Sequence, residues 1–530
     1  RKYGFDNGET LGESSGVGNK IIHGDNLEAL KALLPEYEGR VKCIYIDPPY
    51  NTGNEWWAYN DSVNDPKIKK WLGQVVGKEF EDLTRHDKWL CMMYPRLKLL
   101  HRLLSDDWGV IMISIADHEM ATLKILMDEI FWINNFLCQF IWDNDWNIDN
   151  QSKIKVHHEY ILTYGKKVDS IEKPVIIDPN IEESSKLYND SIENSITKNG
   201  PKNPSSVVIL PVWFPATFEK WVINAQSENY PIIHEDLIID DFKLTRSGQV
   251  ESGWSSKNLL LLFINNWFEP IQDSEGKETT FKITQSWAIY CYKKRSWDQG
   301  HVLSIIRNVW TTKQTSNFLK SLWFNFSYPK PIYLVQYLLE VFTKNKKDAI
   351  ILDSFAWSWT TAHAVLNLNK KDDGNRKFIL VEMEDYAETI TAERIKHVVT
   401  GGIDLLGTGG GFDYFTLGQP LLDSEWNLNP SAGIERIRAY VAYTETAIPY
   451  DPVAPKVVNH PYFLVRSIDR DHYFYYKLDA ITILDATFLK TVTVPSNSYS
   501  IWADKCSLSE DFLRDNNITF RKIPRDIRKL

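Results

Sequence analysis

Val41-Lys-Cys-Ile-Tyr-Ile-Asp-Pro-Pro-Tyr50, continued by Asn51-Thr-Gly-Asn54, is the stretch around which the chain is organised. Val41 to Ile46 are mostly apolar and β-favouring with little alternation, the pattern of a strand buried in a parallel sheet. The run stops at an acid and two prolines, which cannot donate to a ladder. An acid at the carboxyl end of such a strand stands in the crevice where open α/β sheets bind ligands.

These four residues suit one chemistry. The 6-amino group of adenine is a poor nucleophile because its lone pair is delocalised into the ring. Two acceptors aimed at its two N–H bonds draw that pair back onto nitrogen. Asp47 supplies a carboxylate oxygen and Pro48 a backbone carbonyl, and Pro48 and Pro49 hold the corner rigid through their fixed φ. Tyr50 offers a ring face for a base taken out of its stack. Asp47, Pro48, Pro49 and Tyr50 are therefore the expected catalytic set; the bland alternative is a Pro-Pro turn closing a structural strand.

At 530 residues, two to four domains are expected. A hydrophobic content of 43% and a charged content of 25% are those of a soluble globular protein. The five cysteines are scattered and never stand as Cys-x-x-Cys, which predicts a reduced, cytoplasmic protein without structural zinc. Leu259 to Ile264, the longest apolar run, is far too short to span a bilayer. The chain opens on Arg1 rather than Met, so the natural start is expected upstream.

Net charge is −10, yet charge is unevenly placed. Phe281 to Lys347 holds eleven basic residues against Asp298 and Glu340, interleaved with aromatics such as Tyr290, Tyr292 and Phe326. Such a surface pairs phosphates and stacks bases, and Lys293, Lys294, Arg295, Arg307, Lys313 and Lys330 are its candidate DNA contacts. A solvated basic face is the competing reading.

In chain order, Asn19 to Lys31 reads as strand, Gly24 turn and helix, with Asp25 or Asn26 as cap. Leu83 to Leu104 and Glu119 to Phe131 have helical spacing; Gly109 to Ile115, 137–143 and His158 to Tyr164 read as strands. From about Lys166 prolines recur at 174, 179, 201 and 204, and helical periodicity is lost until about 280, predicting an inserted, loop-rich domain. A helix then follows Tyr328-Pro-Lys-Pro331, and Ala349-Ile-Ile-Leu-Asp353 is another buried strand. It leads through Ser354-Phe-Ala-Trp-Ser-Trp-Thr-Thr361 into a helix, and Lys377 to Glu382 is a strand ending on an acid placed to accept from ribose hydroxyls. The expected domains are 1–165, 166–300, 301–400 and a small α+β domain at 401–530.

Asp47-Pro-Pro-Tyr50, the later Asp353 to Thr361 turn and the variable segment between them resemble the beta-class amino-methyltransferases of DNA, in particular the Mod subunits of type III restriction-modification systems. Asn51-Thr-Gly-Asn-Glu55, His86-Asp-Lys-Trp-Leu90, Tyr94-Pro-Arg-Leu97, His158-Glu-Tyr160, Tyr328-Pro-Lys-Pro331, Asp504 to Leu508 and Phe520 to Pro524 stand where that family has similar strings. The resemblance implies a Rossmann-like, circularly permuted methyltransferase fold with an inserted target-recognition domain. It implies adenine-N6 methylation of a flipped base in double-stranded DNA, with S-adenosylmethionine as cofactor. Asp353, Phe355, Trp357, Trp359 and Thr360 would hold the methionine part, Glu382 the ribose and Asp25 the adenine of the cofactor; Asp25 equally suits a helix cap. A homodimer and a separate helicase-nuclease Res partner are implied as well. This chain has no Gly-x-x-x-x-Gly-Lys-Ser/Thr phosphate loop and no evident nuclease carboxylate cluster. His157, His158 and Glu159 are expected to be structural rather than metal ligands.

One departure is expected to matter. The family has Gly where this chain has Trp357 and Trp359, and a turn that must approach a cofactor closely needs residues without Cβ. Trp occurs 20 times against Met 6, and Trp132, Trp146, Trp267, Trp297 and Trp426 stand in turn-like contexts, whereas Trp56, Trp57, Trp71 and Trp89 fit the family pattern. Two readings are open. Either cofactor binding is lost and the chain is a DNA-binding or assembly subunit, or many of these tryptophans are UGA codons that some bacteria read as Gly. A cytosine amino-methyltransferase, of the same geometry, and a non-catalytic scaffold are further alternatives.

Overall fold

The computed structural model describes the chain apart from residues 52–80, 145–152, 155, 183, 186–187, 296–299, 323, 325, 327–328, 358, 403–405, 423–426, 448–449, 451–457 and 525–530. The continuation Thr52-Gly-Asn54, Glu55, Tyr328 and Trp56, Trp57, Trp71, Trp146, Trp297 and Trp426 lie outside the described residues. Two compact units emerge: 1–172 with 304–530, and 173–303.

The larger unit is built on one eleven-stranded sheet. In chain order its strands and flanking helices are β1 (Tyr3–Asp6), β2 (Glu9–Leu11), β3 (Lys20–His23), α1 (Asn26–Tyr37), β4 (Cys43–Ile46), α2 (Glu81–Leu103), β5 (Val110–Ile115), α3 (Asp117–Met127), β6 (Phe136–Asp143) and β7 (His158–Gly165). After the second unit come β8 (Ile305–Ile306), α4 (Thr312–Ser321), α5 (Ile332–Thr343), β9 (Ile350–Asp353), α6 (Thr360–Asp372), β10 (Lys377–Glu382), α7 (Glu393–Thr400) and β11 (Gly411–Thr416). The spatial order is β8-β6-β7-β5-β4-β9-β10-β3-β11-β1-β2.

From β5 to β11 neighbouring strands are parallel, and β7 reverses the direction on one side and β1 on the other. The two halves of the chain interleave here: β9 pairs with β4, Ile351 opposite Cys43 and Leu352 opposite Ile44, although some 300 residues separate them. The four residues of β4 are all buried, as the apolar run requires, and its neighbour β5 is buried throughout. Along α2, Trp89, Met92, Met93, Leu97 and Leu100 recur at helical spacing and join the core that covers these strands.

The stretch from 401 does not begin a separate body, because β11 lies between β3 and β1 in the main sheet. Beyond it, Phe463–Ser467, Arg470–Phe474, Tyr499–Ala503 and Ile518–Lys522 form a small mixed sheet, with the helix Ile434–Thr446 contributing Ile437, Val441 and Ala442 to its core.

The second unit is almost entirely antiparallel β: three small sheets around a core that includes Phe214, Phe263 and Phe281. It contains one helix that periodicity alone does not reveal, Lys257–Asn265, which covers the longest apolar run and buries Leu260 and Phe263 while Leu261 and Leu262 face outward. The two ends of the unit are stitched together: Gly300 N–H donates to the Pro174 carbonyl (3.0 Å), His301 N–H to that of Ile176 (2.7 Å) and Asp178 N–H to that of His301 (2.8 Å). Gly300 is required there, because a Cβ would sit 2.3 Å from the carbonyl oxygens of both Pro174 and Ile176. Gly300→Ala is expected to open this stitch selectively, raising amide hydrogen exchange at 174–178 while β4 and β9 stay protected; equal protection in the variant would contradict it.

Candidate functional site

The four central parallel strands end on the same edge of the sheet, and each delivers an acid there. β4 runs into Asp47, β9 ends at Asp353, β10 at Glu382, and β3 leads through Gly24 to Asp25. Glu382 pairs with His23 in register, two residues before Asp25. One cavity at this edge is lined by Tyr45, Asp47, Lys330, Asp353, Phe355, Trp357, Thr360 and Thr361, so the acid-proline corner and the 353–361 turn face each other.

The corner is held from several sides. The Trp89 indole donates to the Pro49 carbonyl (2.7 Å), and the Asn51 amide donates to buried Glu119 (2.5 Å), which His86 Nδ1 also approaches at 2.6 Å. Pro48 is buried. The Tyr50 hydroxyl donates to Glu159 Oε2 (2.9 Å), and so does Lys330 Nζ (2.9 Å). Lys330 Nζ also lies 3.3 Å from Asp47 Oδ1 and 4.7 Å from the centre of the Tyr50 ring. Asp47 Oδ1 is buried and accepts no hydrogen bond, so it remains an open acceptor beside a cation. Burial pushes the Asp47 carboxyl up, Lys330 pulls it back, and Glu159 pushes it up again. Burial disfavours the Lys330 ammonium, but Asp47 and Glu159 outweigh this and raise it above the usual lysine range.

The sequence places Lys330 among the DNA contacts, and the structure corrects this: its side chain is 11% exposed and committed to Glu159 and Asp47. Glu159, which the sequence groups with the histidines, is the missed member of this cluster. The string His158-Glu-Tyr160 holds the signal, since an acid on a strand whose next residues are buried needs a partner. The histidines themselves are engaged locally, His158 with the Tyr160 hydroxyl (2.8 Å) and His157 with Asp143 (3.0 Å).

The turn after β9 is shaped by Asp353, whose Oδ1 accepts from the Phe355 N–H (3.1 Å) and whose Oδ2 accepts from the Thr361 hydroxyl (2.5 Å). Phe355 is buried, and the Thr360 hydroxyl donates to the Lys330 carbonyl (3.0 Å), tying the turn to the corner. Glu382 accepts from the backbone N–H groups of Trp357, Met383 and Glu384 at 2.7, 3.0 and 3.1 Å. Burial nevertheless pushes both Asp353 and Glu382 up to about 7. Asp25 caps α1, accepting from the Glu28 N–H (2.9 Å), and Arg96 Nη2 stands 3.7 Å away.

This set of acceptors suits a ligand carrying a ribose diol and positive charge, but the space does not. The cavity holds about 20 Å³, room for a water, whereas a nucleoside-sized ligand needs roughly 300 Å³ or more. The obstacle is Trp357, whose indole N–H donates to the Asp47 carbonyl (2.6 Å) from inside the cleft. Trp357 (φ 44°) and Trp359 (φ 61°) both adopt the left-handed backbone of glycine, at about 1–3 kcal/mol each for a residue with a Cβ. Trp359 is fully buried with its indole N–H unpaired. With these side chains S-adenosylmethionine does not fit.

The basic window divides between the two units at 303/304. Most of the candidates are paired with acids from outside the window. Lys293 is bonded to buried Asp273 (2.6 Å), which it holds down to about 2, so it is a structural cation rather than a phosphate contact. Lys294 stands 3.6 Å from Glu278, Arg307 3.3 Å from Asp143, and Arg295 donates to the Asn189 carbonyl (3.0 Å). Lys313 is exposed on α4.

Two outcomes are expected. Lys330→Met should cost about 3 kcal/mol in denaturant unfolding because it leaves two half-buried acids facing each other, and adding Glu159→Gln should recover part of it; additive losses would refute the coupling. For Asp353, a folded-state value of about 7 against an ordinary 3.8 means the folded chain holds its proton longer. Its contribution is therefore full below about pH 4 and is lost as pH rises towards 7. Asp353→Asn should flatten the fall in stability over that interval, measured by urea midpoints.

Residues 41–393 match the N6_N4_Mtase family, described as DNA methylase. The chain is 31% identical over 415 residues to the type III restriction-modification enzyme EcoPI Mod subunit of Escherichia phage P1, covering 70% of this chain and 58% of that one. It is 30% identical over 401 residues to the StyLTI Mod subunit of Salmonella typhimurium, covering 71% and 54%. The type II methyltransferase M.KpnI of Klebsiella pneumoniae is 27% identical over 395 residues, covering 72% and 84%. The chain thus spans a little over half the length of the two Mod relatives. With the Asp-Pro-Pro-Tyr corner set against the 353–361 turn inside the matched region, the chain belongs to the DNA methylase family.

Proposed function

We propose that this chain is the modification subunit of a type III restriction-modification system, an adenine-specific DNA methyltransferase that acts on the 6-amino group of a base flipped out of double-stranded DNA. The observation that carries the reading is the open, buried Asp47 Oδ1 at the corner that faces the 353–361 turn. In this role Asp47 and the Pro48 carbonyl accept the two N–H bonds of the amine, and Pro49 keeps the carbonyl aimed. Lys330 occupies one side of the Tyr50 ring, so a base stacks on the other. S-adenosylmethionine supplies an electrophilic methyl when bound. Asp353, Glu382 and Asp25 are the acceptors this chain offers for its ammonium, ribose and adenine, once the turn has room.

Lys294, Arg307 and Lys313 are the proposed phosphate contacts, and the unit at 173–303 the reader of sequence. Two partners are proposed from the family resemblance: a second copy of this chain and a separate helicase-nuclease Res subunit. No helix among the described residues is long and apolar enough to cross a membrane, and a cytoplasmic location is proposed with the function. The closed cleft favours a second reading for the chain as written: a DNA-binding or assembly subunit without transferase activity.

The test uses Trp357→Gly/Trp359→Gly protein. It is expected to place N6-methyladenine in duplex DNA, and adding Asp47→Ala should lower the rate at least ~100-fold with DNA affinity nearly unchanged, since phosphate contacts carry most affinity. Methylation of cytosine instead, or parallel loss of affinity and activity, would overturn the adenine reading; retained DNA binding without methylation would favour the non-catalytic subunit.

A further inference from the structure

Seventeen described residues other than glycine have φ between 43° and 95°, and eight of them are tryptophan: Trp108, Trp132, Trp213, Trp267, Trp287, Trp310, Trp357 and Trp359. Asn and Asp visit this region because their short polar side chains tolerate it, and they account for six more. A bulky aromatic has no such reason. Tryptophan makes up only 20 of the 530 residues, so its share here is far above its frequency.

The tryptophans divide by environment. Trp89 lies in α2 and is buried with its indole bonded to Pro49; Trp142 and Trp254 are buried in or beside strands, and the Trp254 indole donates to the Ser206 carbonyl (2.8 Å). Trp89 and Trp254 sit where a tryptophan fits, and the Trp142 indole N–H is as unpaired as that of Trp359, so backbone angle rather than indole pairing separates the two sets. Among the positive-φ set, Trp267 is 81% exposed, Trp132 72%, Trp213 63% and Trp287 45%. Trp267, Trp132 and Trp213 bury little and Trp287 only about half of its surface, whereas tryptophan is a residue that buries most of its surface. Trp108 and Trp310 are packed, the first bonded to the Phe342 carbonyl (2.9 Å) and the second against Tyr333 and Phe318, so neither belongs with the exposed group.

At the cofactor turn the conflict is sharpest. The backbone at 357 and 359 is that of glycine, one indole occupies the cleft beside Asp47, and the other is sealed in the core. Two acids, Asp47 and Asp353, line a space their ligand cannot enter.

We propose that residues 357 and 359, and with them 132, 213, 267 and 287, are glycine in the protein as its own cell makes it, each encoded by a UGA triplet which that cell reads as glycine. Replacing the two indoles of the turn by hydrogen removes the side chain from the cleft and leaves the backbone as it is. Asp47 and Asp353, which line the cavity, then border the vacated space. This explains a turn that has the right backbone and the wrong side chains, and it rests on the methyltransferase reading only for the identity of the ligand.

Two measurements decide it. Peptide mass spectrometry of the protein isolated from its native cell is expected to find glycine at 357 and 359 and at the four exposed turns; indole masses at 357 and 359 would overturn the proposal. Separately, calorimetric titration with S-adenosylmethionine compares recombinant chain as written with Trp357→Gly/Trp359→Gly, both checked for folding by circular dichroism. At least a roughly tenfold gain in affinity is expected for the double variant. Equal binding by the chain as written would refute the claim that the indoles close the cleft. Glycine in the native peptides with no binding by a folded double variant would keep the decoding and reject the methyltransferase reading, so the two failures are told apart.

Discussion

The parallel pairing of β4 with β9 is the contact on which the site depends. It joins two segments about 300 residues apart in the chain and sets Asp47 and Asp353 on one edge of one sheet. Neither segment makes a site alone. The first supplies a rigid corner with an open oxygen; the second supplies a turn whose backbone N–H groups are organised by Asp353 and Glu382. Closing so long a loop costs entropy that grows only slowly with length, and the apolar faces of β4, β5, β9 and β10 are buried in return.

Charge at this edge is kept in balance by one buried cation. Lys330 is shared by Asp47 and Glu159, and Glu159 also receives the Tyr50 hydroxyl. Two acids and a phenol in a poorly solvated pocket would repel or take up protons without it. The ammonium therefore fixes the orientation of both groups of the corner at once. Asp353 and Glu382 have no such counter-ion among the described residues, and burial holds both near neutrality.

Much of this is legible in the residues. Strands ending on Asp47, Asp353 and Glu382 can be read because buried parallel strands are continuous apolar runs, and prolines or an acid mark where they stop. What resists reading depends on distant partners. Lys330 and Lys293 look like surface cations because charge counts carry no burial, and the acids that capture them, Glu159 and Asp273, are remote or lie outside the basic window. The helix Lys257–Asn265 escapes notice because it has an almost unbroken apolar run, in which no period can be seen. That β11 belongs to the main sheet is equally hidden, since a pairing with β1 and β3 leaves no local mark. The tryptophan anomaly is visible as a composition, but only the backbone angles separate turn tryptophans from those that pack.

The hydrogen-bonded stitch between 174–178 and 300–301 means that the whole of the second unit leaves and rejoins the chain at a single point. A module tethered in this way can be exchanged, lengthened or shortened by recombination at its two ends without shifting any strand of the sheet that carries the acids. Change within that module is then decoupled from the upkeep of the acid-bearing edge, and lineages can vary one without rebuilding the other.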